Sequence, residues 1–307
     1  MSERVLQPTD APVRLAGLRA AAGLAGELYG LFKLRIGFAI AMSALAGAAL
    51  APGEMLPAWK LAVLALVILM SAASAGAFNQ YAERDLDARM PRTKSRPFVT
   101  GRFRAGPFWL SVIGGLLVAS VALAAWALNM AAAFYAFCGA FVYGVVYTVW
   151  LKRRSWLNIV VGGLSGSFAV LAGAAAIDPG LAPGPVVLAV VLFLWTPPHF
   201  WSLAMALREQ YAAAEVPMLP VVVGDRRAAY VILAHTVPLV ALSLLPVFYG
   251  SGWIYAAAAL TGGALFVRRS LQLAAAPGPK TAMVNFHASL IQLSLLLLGA
   301  CADRWLG

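Results

Sequence analysis

The residues point to an all-α polytopic membrane protein of nine transmembrane helices, its N-terminus cytoplasmic and its C-terminus outside. Three observations lead there. Of the 307 residues, 62% are hydrophobic and 11% charged, whereas a soluble domain is about 25% charged. So few charges cannot cover a water-facing surface, so the bilayer is the solvent. The chain also repeats apolar runs of the roughly 20 residues that a spanning helix needs. Finally, lysine and arginine crowd into every second connection between those runs.

The expected spans are at about 28–50, 57–79, 107–128, 131–151, 157–177, 182–206, 229–249, 252–269 and 284–304. The connections after the first, third, fifth and seventh are short and poor in cations: "APGEML", "LNM", "DPGLAPG" and "GSG". Those after the second, fourth, sixth and eighth hold the cations: seven from Arg84 to Arg104, then Lys152, Arg153 and Arg154, then Arg208, Arg226 and Arg227, then Arg268, Arg269 and Lys280. Counting the tail and the Lys33/Arg35 pair with these as cytosolic, only Lys60 and Arg304 of 23 lysines and arginines fall on the other side. An odd number of spans and this bias give the same orientation. Residues 1–27 carry Arg4, Arg14 and Arg19 without a compact apolar core, so they read as a cytosolic tail rather than a signal peptide. Residues 28–305 then form one transmembrane domain.

A net charge of +11 would suggest nucleic acid in a soluble protein. Here the positive-inside bias accounts for it, and membrane lipid, not nucleic acid, is the expected surrounding. Cys138 and Cys301 lie inside apolar runs and read as buried free thiols. Runs such as "GGLSGS" and "AGAAL" suit close helix contacts in lipid.

The chemistry concentrates in "FNQYAERDLDARMPRTKSRPFVTGR", residues 78–102. Asn79, Glu83 and Asp87 are spaced i, i+4, i+8. Each step of four turns a helix by roughly 40°, so the three share a face across about 12 Å, and Asp85 points elsewhere. Carboxylates at membrane depth need a partner. Two carboxylates and an amide suit Mg²⁺, which completes its shell with water and substrate phosphate. Arg92, Lys94 and Arg96 just beyond would hold the remaining phosphate charge. The spacing alone equally fits a solvated helix end before a positive-inside loop. Its conjunction with the basic "RTKSRP" weighs for the metal–phosphate site.

This stretch resembles the first Asp-rich motif of the UbiA-type intramembrane prenyltransferases, Asn-x3-Asp-x3-Asp followed by a basic "RT-x-x-RP". Glu83 stands where aspartate is usual, keeping the charge on an arm one carbon longer. "LWTPPHFWSLAMALREQYAAAEVPMLPVVVG", residues 194–224, resembles the protohaem IX farnesyltransferase family within that superfamily. So do "YTVWLKRRSWLNIVVGG" from Tyr147 and "LFKLRIG" at the first span, where Leu34 replaces the usual proline. The resemblance covers about residues 28–305. After the sixth span, Glu209 and Gln210 stand where other branches carry a second Asp-rich motif. Glu215 replaces a usual glycine, and "GSFAV" lacks the prolines usual there.

The resemblance implies a UbiA-type bundle of nine helices in a bacterial inner membrane, its active site facing the cytoplasm. It implies that farnesyl diphosphate, haem b and water give haem o and diphosphate, with Mg²⁺ as cofactor. Asn79, Glu83 and Asp87 would hold the metal and, with Lys152, carry catalysis. Arg92, Lys94, Arg96 and Arg153 would bind diphosphate. His199, Trp195 and Trp201 would meet haem, and Tyr143, Tyr147, Asn158 and Glu209 would line the pocket. A haem-delivery or oxidase-assembly protein is a further implied partner. His199 follows Pro197 and Pro198, which are expected to break or kink the span; its alternative role is a hydrogen bond to buried backbone. His235 and His287 read as packed or locally bonded. Two other functions fit the composition: prenyl transfer to an aromatic acid or quinone precursor, and transport, which also uses broken helices and midplane charges. No internal repeat favours transport.

Overall fold

A computed structural model describes residues 23–306. Residues 1–22, most of the expected cytosolic tail, lie outside the described residues. All regular structure among the described residues is helical. A short helix α1, Gly23–Leu31, meets α2, Leu34–Leu50, at a 47° bend. The chain continues as α3 (Ala58–Ala82), the short α4 (Arg84–Ala88) and α5 (Pro97–Thr100), then α6 (Pro107–Ala127) and α7 (Met130–Phe141). A π-helix over Val142–Leu151 extends α7. Then come α8 (Asn158–Gly162), α9 (Leu164–Ile177), α10 (Pro183–Ala206), α11 (Arg208–Ala213), α12 (Leu219–Val223), α13 (Asp225–Leu242), α14 (Trp253–Ala275) and α15 (Pro279–Leu306).

Seven helices among the described residues are long and apolar enough to cross a membrane, and the bent α1–α2 pair makes an eighth. Helix α14 has 23 residues but carries Arg268 and Arg269, and does not reach the same apolarity.

Three local features depart from the expected spans. The first expected span is broken at Phe32 and Lys33, where Lys33 takes left-handed dihedrals of φ 49, ψ 40. Helix α10 runs on through Pro197 and Pro198, so of the expected break or kink there is no break. Hydroxyls around the prolines add bonds of their own: Thr196 Oγ1 donates to the Leu192 carbonyl at 3.0 Å, and Ser202 Oγ to that of Pro198 at 2.6 Å. Such side-chain bonds and packed neighbours let membrane helices tolerate proline. The π-helix is the third feature, and it rotates everything that follows it relative to α7.

Helix α2 packs on α9, α3 and α15, α3 on α6, and α10 on α9, α13 and α15. The α2–α15 contact brings the first and last spanning segments together and closes the bundle. Contact faces are built from small residues. Helix α2 buries Gly37, Ala41, Ala44, Gly47 and Ala48, and α9 buries Ala169, Ala172, Gly173 and Ala174. In lipid there is no hydrophobic drive between helices, so close backbone approach takes its place. Large apolar side chains point outward instead, Phe108, Trp126 and Phe248 among them.

Candidate active site

Helix α3 ends where the polar run begins, and the cation-rich connections gather around that end. The helix proper stops at Ala82 and α4 starts at Arg84. Yet the Glu83 amide donates to the Asn79 carbonyl at 3.0 Å and the Asp87 amide to that of Glu83 at 2.8 Å. The i, i+4 relation therefore survives the junction. Asn79, Glu83 and Asp87 are all buried, at 2%, 1% and 3% exposure. Charges so far from water need partners, and each finds one. Lys152 Nζ donates to Glu83 Oε2 at 2.5 Å, and an Arg96 NH donates to Asp87 Oδ2 at 2.6 Å. Asn79 Oδ1 accepts from Lys33 Nζ at 2.7 Å, while its Nδ2 donates to Thr148 Oγ1 at 3.0 Å. Asp85 points outward and forms a two-pronged pair with Arg153, both contacts 2.7 Å. That guanidinium holds the Asp85 carboxyl down at about 2.

The π-helix brings the facing side chains to this cluster. The Lys152 amide donates to the carbonyl of Tyr147, five residues back, at 2.9 Å. Nine residues of α-helix are two and a half turns, which would set Tyr143 and Lys152 on opposite faces. At the wider winding of about 4.4 residues per turn, nine residues are close to two turns. Tyr143 and Tyr147 accordingly stack at 5.4 Å, Lys152 Nζ lies 5.6 Å from the Tyr147 ring, and Lys33 Nζ lies 2.9 Å from the Tyr143 hydroxyl. Asn158, fully buried, donates to the Lys152 carbonyl at 3.3 Å.

These groups suit a hard divalent cation. Glu83 Oε1 is buried without a hydrogen-bond partner. A bare carboxylate oxygen inside a protein is costly, and it is the ligand such an ion takes. Asp87 supplies a second carboxylate and Asn79 an amide oxygen. Among the described residues no group of three or more His, Cys, Asp or Glu side chains is assembled to hold a metal, so water and substrate oxygens would complete the shell.

A second polar feature lies on α10. The His199 ring is held between Trp195, at 4.2 Å, and Phe286, at 4.5 Å. Its Nδ1 is 2.7 Å from Ser289 Oγ, and that hydroxyl lies 2.6 Å from the Phe286 carbonyl. With that hydroxyl turned to the carbonyl, Ser289 accepts from Nδ1–H and Nε2 keeps a lone pair; with it turned to the ring, Nδ1 accepts and Nε2 carries the proton. The Trp195 indole donates to the Ser289 carbonyl at 3.0 Å. The partner of His199 is thus a side chain, not backbone. His235 bonds its own helix, at the Val231 carbonyl, 2.9 Å.

The structure brings together Asn79, Glu83, Asp87, Lys152, Arg96, Tyr143, Tyr147 and Asn158. Arg92 lies beside Tyr211. Arg153 turns to Asp85, and Lys94 and Glu209 are exposed. Trp201 is separated from Trp195 and His199: it is buried among Met205, Leu219 and Ile232, edge-on to His235 at 5.3 Å. Lys33 belongs to the site although the sequence counted it only as cytosolic charge. Two departures acquire a backbone meaning. Leu34 opens α2 at the first helical position, where proline costs nothing. Glu215 has φ 57, a conformation natural to glycine. Cys301 is buried and Cys138 half-buried, both free.

Comparison with known proteins agrees with this architecture. The model of the UbiA prenyltransferase family matches residues 40–294. Protoheme IX farnesyltransferase 2 of Paramagnetospirillum magneticum is 58% identical over 276 residues, covering 90% of this chain and 96% of that protein. Protoheme IX farnesyltransferase of Gluconacetobacter diazotrophicus is 40% identical over 292 residues, 92% of each. Among solved structures, one of a digeranylgeranylglyceryl phosphate synthase superposes with a TM-score of 0.76 at 18% identity, covering 91% of this chain and 98% of that one. A UbiA homologue from Archaeoglobus fulgidus bound to DMAPP and Mg²⁺ gives 0.69 at 15% identity, covering 92% and 100%. A family model covering most of the chain, relatives of high identity over nearly its whole length and a shared fold lead to one conclusion: the chain belongs to the UbiA prenyltransferase family.

Proposed function

We propose that the protein transfers the farnesyl group of farnesyl diphosphate to a vinyl group of haem b, with addition of water, giving haem o and diphosphate. The observation that carries this reading is the buried cluster of Asn79, Glu83 and Asp87, ringed by Lys33, Lys152 and Arg96, in a chain 58% identical to a protoheme IX farnesyltransferase. Glu83, Asp87 and Asn79 would hold magnesium, which when bound acts as a Lewis acid on the leaving diphosphate. Lys152 and Arg96, now paired to the carboxylates, are placed to share their charge with phosphate oxygens, while Arg92 adds charge from the loop. The donor C1–O bond breaks with its electron pair going to diphosphate. The stacked tyrosines and surrounding apolar walls keep water from the allylic cation. The haem vinyl group forms the new C–C bond, water adds to the porphyrin-side cation, and its proton leaves with diphosphate or solvent. His199, its ring clamped between Trp195 and Phe286, is the proposed haem contact, as axial ligand or as donor to a propionate. The reading includes nine spans, α14 among them, and a cytoplasm-facing site in a bacterial inner membrane.

Membranes overproducing the chain test this. Haem o should accumulate at the expense of haem b, and Asp87→Ala should cut the yield by at least about 100-fold, as expected when a group stabilising the leaving charge is removed. Haem b alone, or farnesylated 4-hydroxybenzoate, would refute the assignment. His199→Ala should shift the Soret band of bound haem; an unchanged band in folded protein would remove its ligand role.

A further inference from the structure

Three cations reach the buried cluster, and they are not equivalent. Lys152 contacts Glu83, and Arg96 contacts Asp87. Lys33 has no carboxylate within ion-pair distance among the described residues. Its ammonium donates to two neutral oxygens, Asn79 Oδ1 at 2.7 Å and the Tyr143 hydroxyl at 2.9 Å. An ammonium has three donors, so one remains. Charges of both signs act on it, Arg96 and Arg92 against Glu83 and Asp87, and the two carboxylates are each engaged by another cation. A partly buried charge without a contacting counterion is retained where an anion arrives to meet it.

The backbone is built to put it there. Lys33 occupies the elbow between α1 and α2 in the left-handed region, φ 49, which residues bearing a Cβ adopt reluctantly and which collects at functional sites. Its stem lies against Gly76 of α3, where an added Cβ would stand 3.3 to 3.4 Å from three Lys33 carbons. A bent helix pair, a strained dihedral and a glycine slot on the facing helix all serve the position of one amine.

We propose that Lys33 contacts the diphosphate of the prenyl donor directly and neutralises the leaving group as the C1–O bond breaks. The amine stays protonated throughout, and the electron pair of the broken bond goes to the diphosphate oxygen. This rests on the prenyl-transfer reading above. The competing role is positioning: Lys33 orients Asn79, and only the metal meets phosphate.

Farnesyl thiodiphosphate, which ionises slowly, separates the two. Its binding to the full chain in nanodiscs is measured with Mg²⁺ and with EDTA. Lys33→Met should weaken binding about 10- to 100-fold in both conditions, the size of a lost charge-assisted hydrogen bond, and Lys33→Arg should recover most of it. Asn79→Ala should weaken binding only when Mg²⁺ is present. Wild-type affinity in Lys33→Met, or a loss confined to Mg²⁺ and matching Asn79→Ala, would overturn the direct contact. If Lys33→Met does not fold, Lys33→Gln is read the same way. Failure of the wild type to bind the analogue would remove the prenyl-transfer reading and this inference together. Wild-type binding with unaltered variants removes Lys33 alone.

Discussion

Glu215 shows how a single departure from a family pattern becomes legible in backbone terms. Its φ of 57 costs an L-residue roughly 1–2 kcal/mol. The compensation is slight: Arg89 lies 3.9 Å away, and both side chains are more than half exposed, a pairing worth about 0–1 kcal/mol. Glu215→Gly should therefore be more stable than Glu215→Ala by about 1 kcal/mol, since alanine keeps the strain and glycine releases it. Thermal melts in detergent compare the two; equal midpoints would mean that the strain is absent. At this scale the sequence spoke unevenly. Asn79, Glu83 and Asp87 were legible because a spacing of four survives even the junction between α3 and α4. Lys33 was not, because a cation near the end of a span looks the same whether it faces headgroups or folds into a site. Trp201 was grouped with Trp195 because α10 was expected to break. On the unbroken helix, Trp195 and His199 are four residues apart and share a face, while Trp201 lies about 200° round from His199.

Between elements, composition announced close contacts but not their addresses. Helices α2 and α9 meet through a reciprocal glycine contact. A Cβ on Gly173 would stand 1.8 Å from the Ala44 carbonyl oxygen, and one on Gly47 would stand 2.2 Å from that of Val170. Both obstacles are backbone, so no side chain can swing away. Gly173→Ala should push the helices apart and cost about 1–3 kcal/mol or more. Gly114→Ala, on the lipid-facing side of α6 with nothing within 4 Å, should be neutral or gain about 0.5–1 kcal/mol in helix propensity. Melting both variants checks the pair, and similar midpoints would contradict the contact. Apolar runs located every long helix, because lipid demands about 20 apolar residues whatever the packing. They could not find the π-helix, since i→i+5 bonding leaves no compositional mark. Nor could they foresee that α10 would continue through two prolines, which depends on hydroxyls and neighbouring helices rather than on the prolines themselves.

Across the whole molecule, contacts sort into two ends. At one, Lys152 pairs with Glu83, Arg153 with Asp85, Arg89 with Glu215 and Arg208 with Asp225. These pairs join the connections after α3, after the π-helix and after α10. At the other, Arg304 donates to the Gly53 carbonyl, and Asp303 accepts from the amides of Gly252 and Tyr255 at 2.6 and 3.2 Å. A Cβ added at Gly53 would stand 3.8 Å from Ile177 there, and one at Gly184 would stand 3.5 Å from the Leu50 carbonyl oxygen and 3.7 Å from Tyr249. The C-terminal end of α15 therefore lies opposite the cation-rich connections, as the proposed nine spans require. In the proposed orientation, the cation-rich end, with the buried carboxylates, faces the cytosol. Cysteines in place of Thr100 and Gly180, both exposed, report the two ends once Cys138 and Cys301 are replaced by alanine. An impermeant maleimide should label Thr100→Cys in inside-out vesicles and Gly180→Cys in right-side-out ones. Labelling of both from one side would break the odd-crossing topology. The reverse pattern would keep the topology but place the carboxylate cluster on the outer face, out of reach of a prenyl diphosphate supplied from the cytosol.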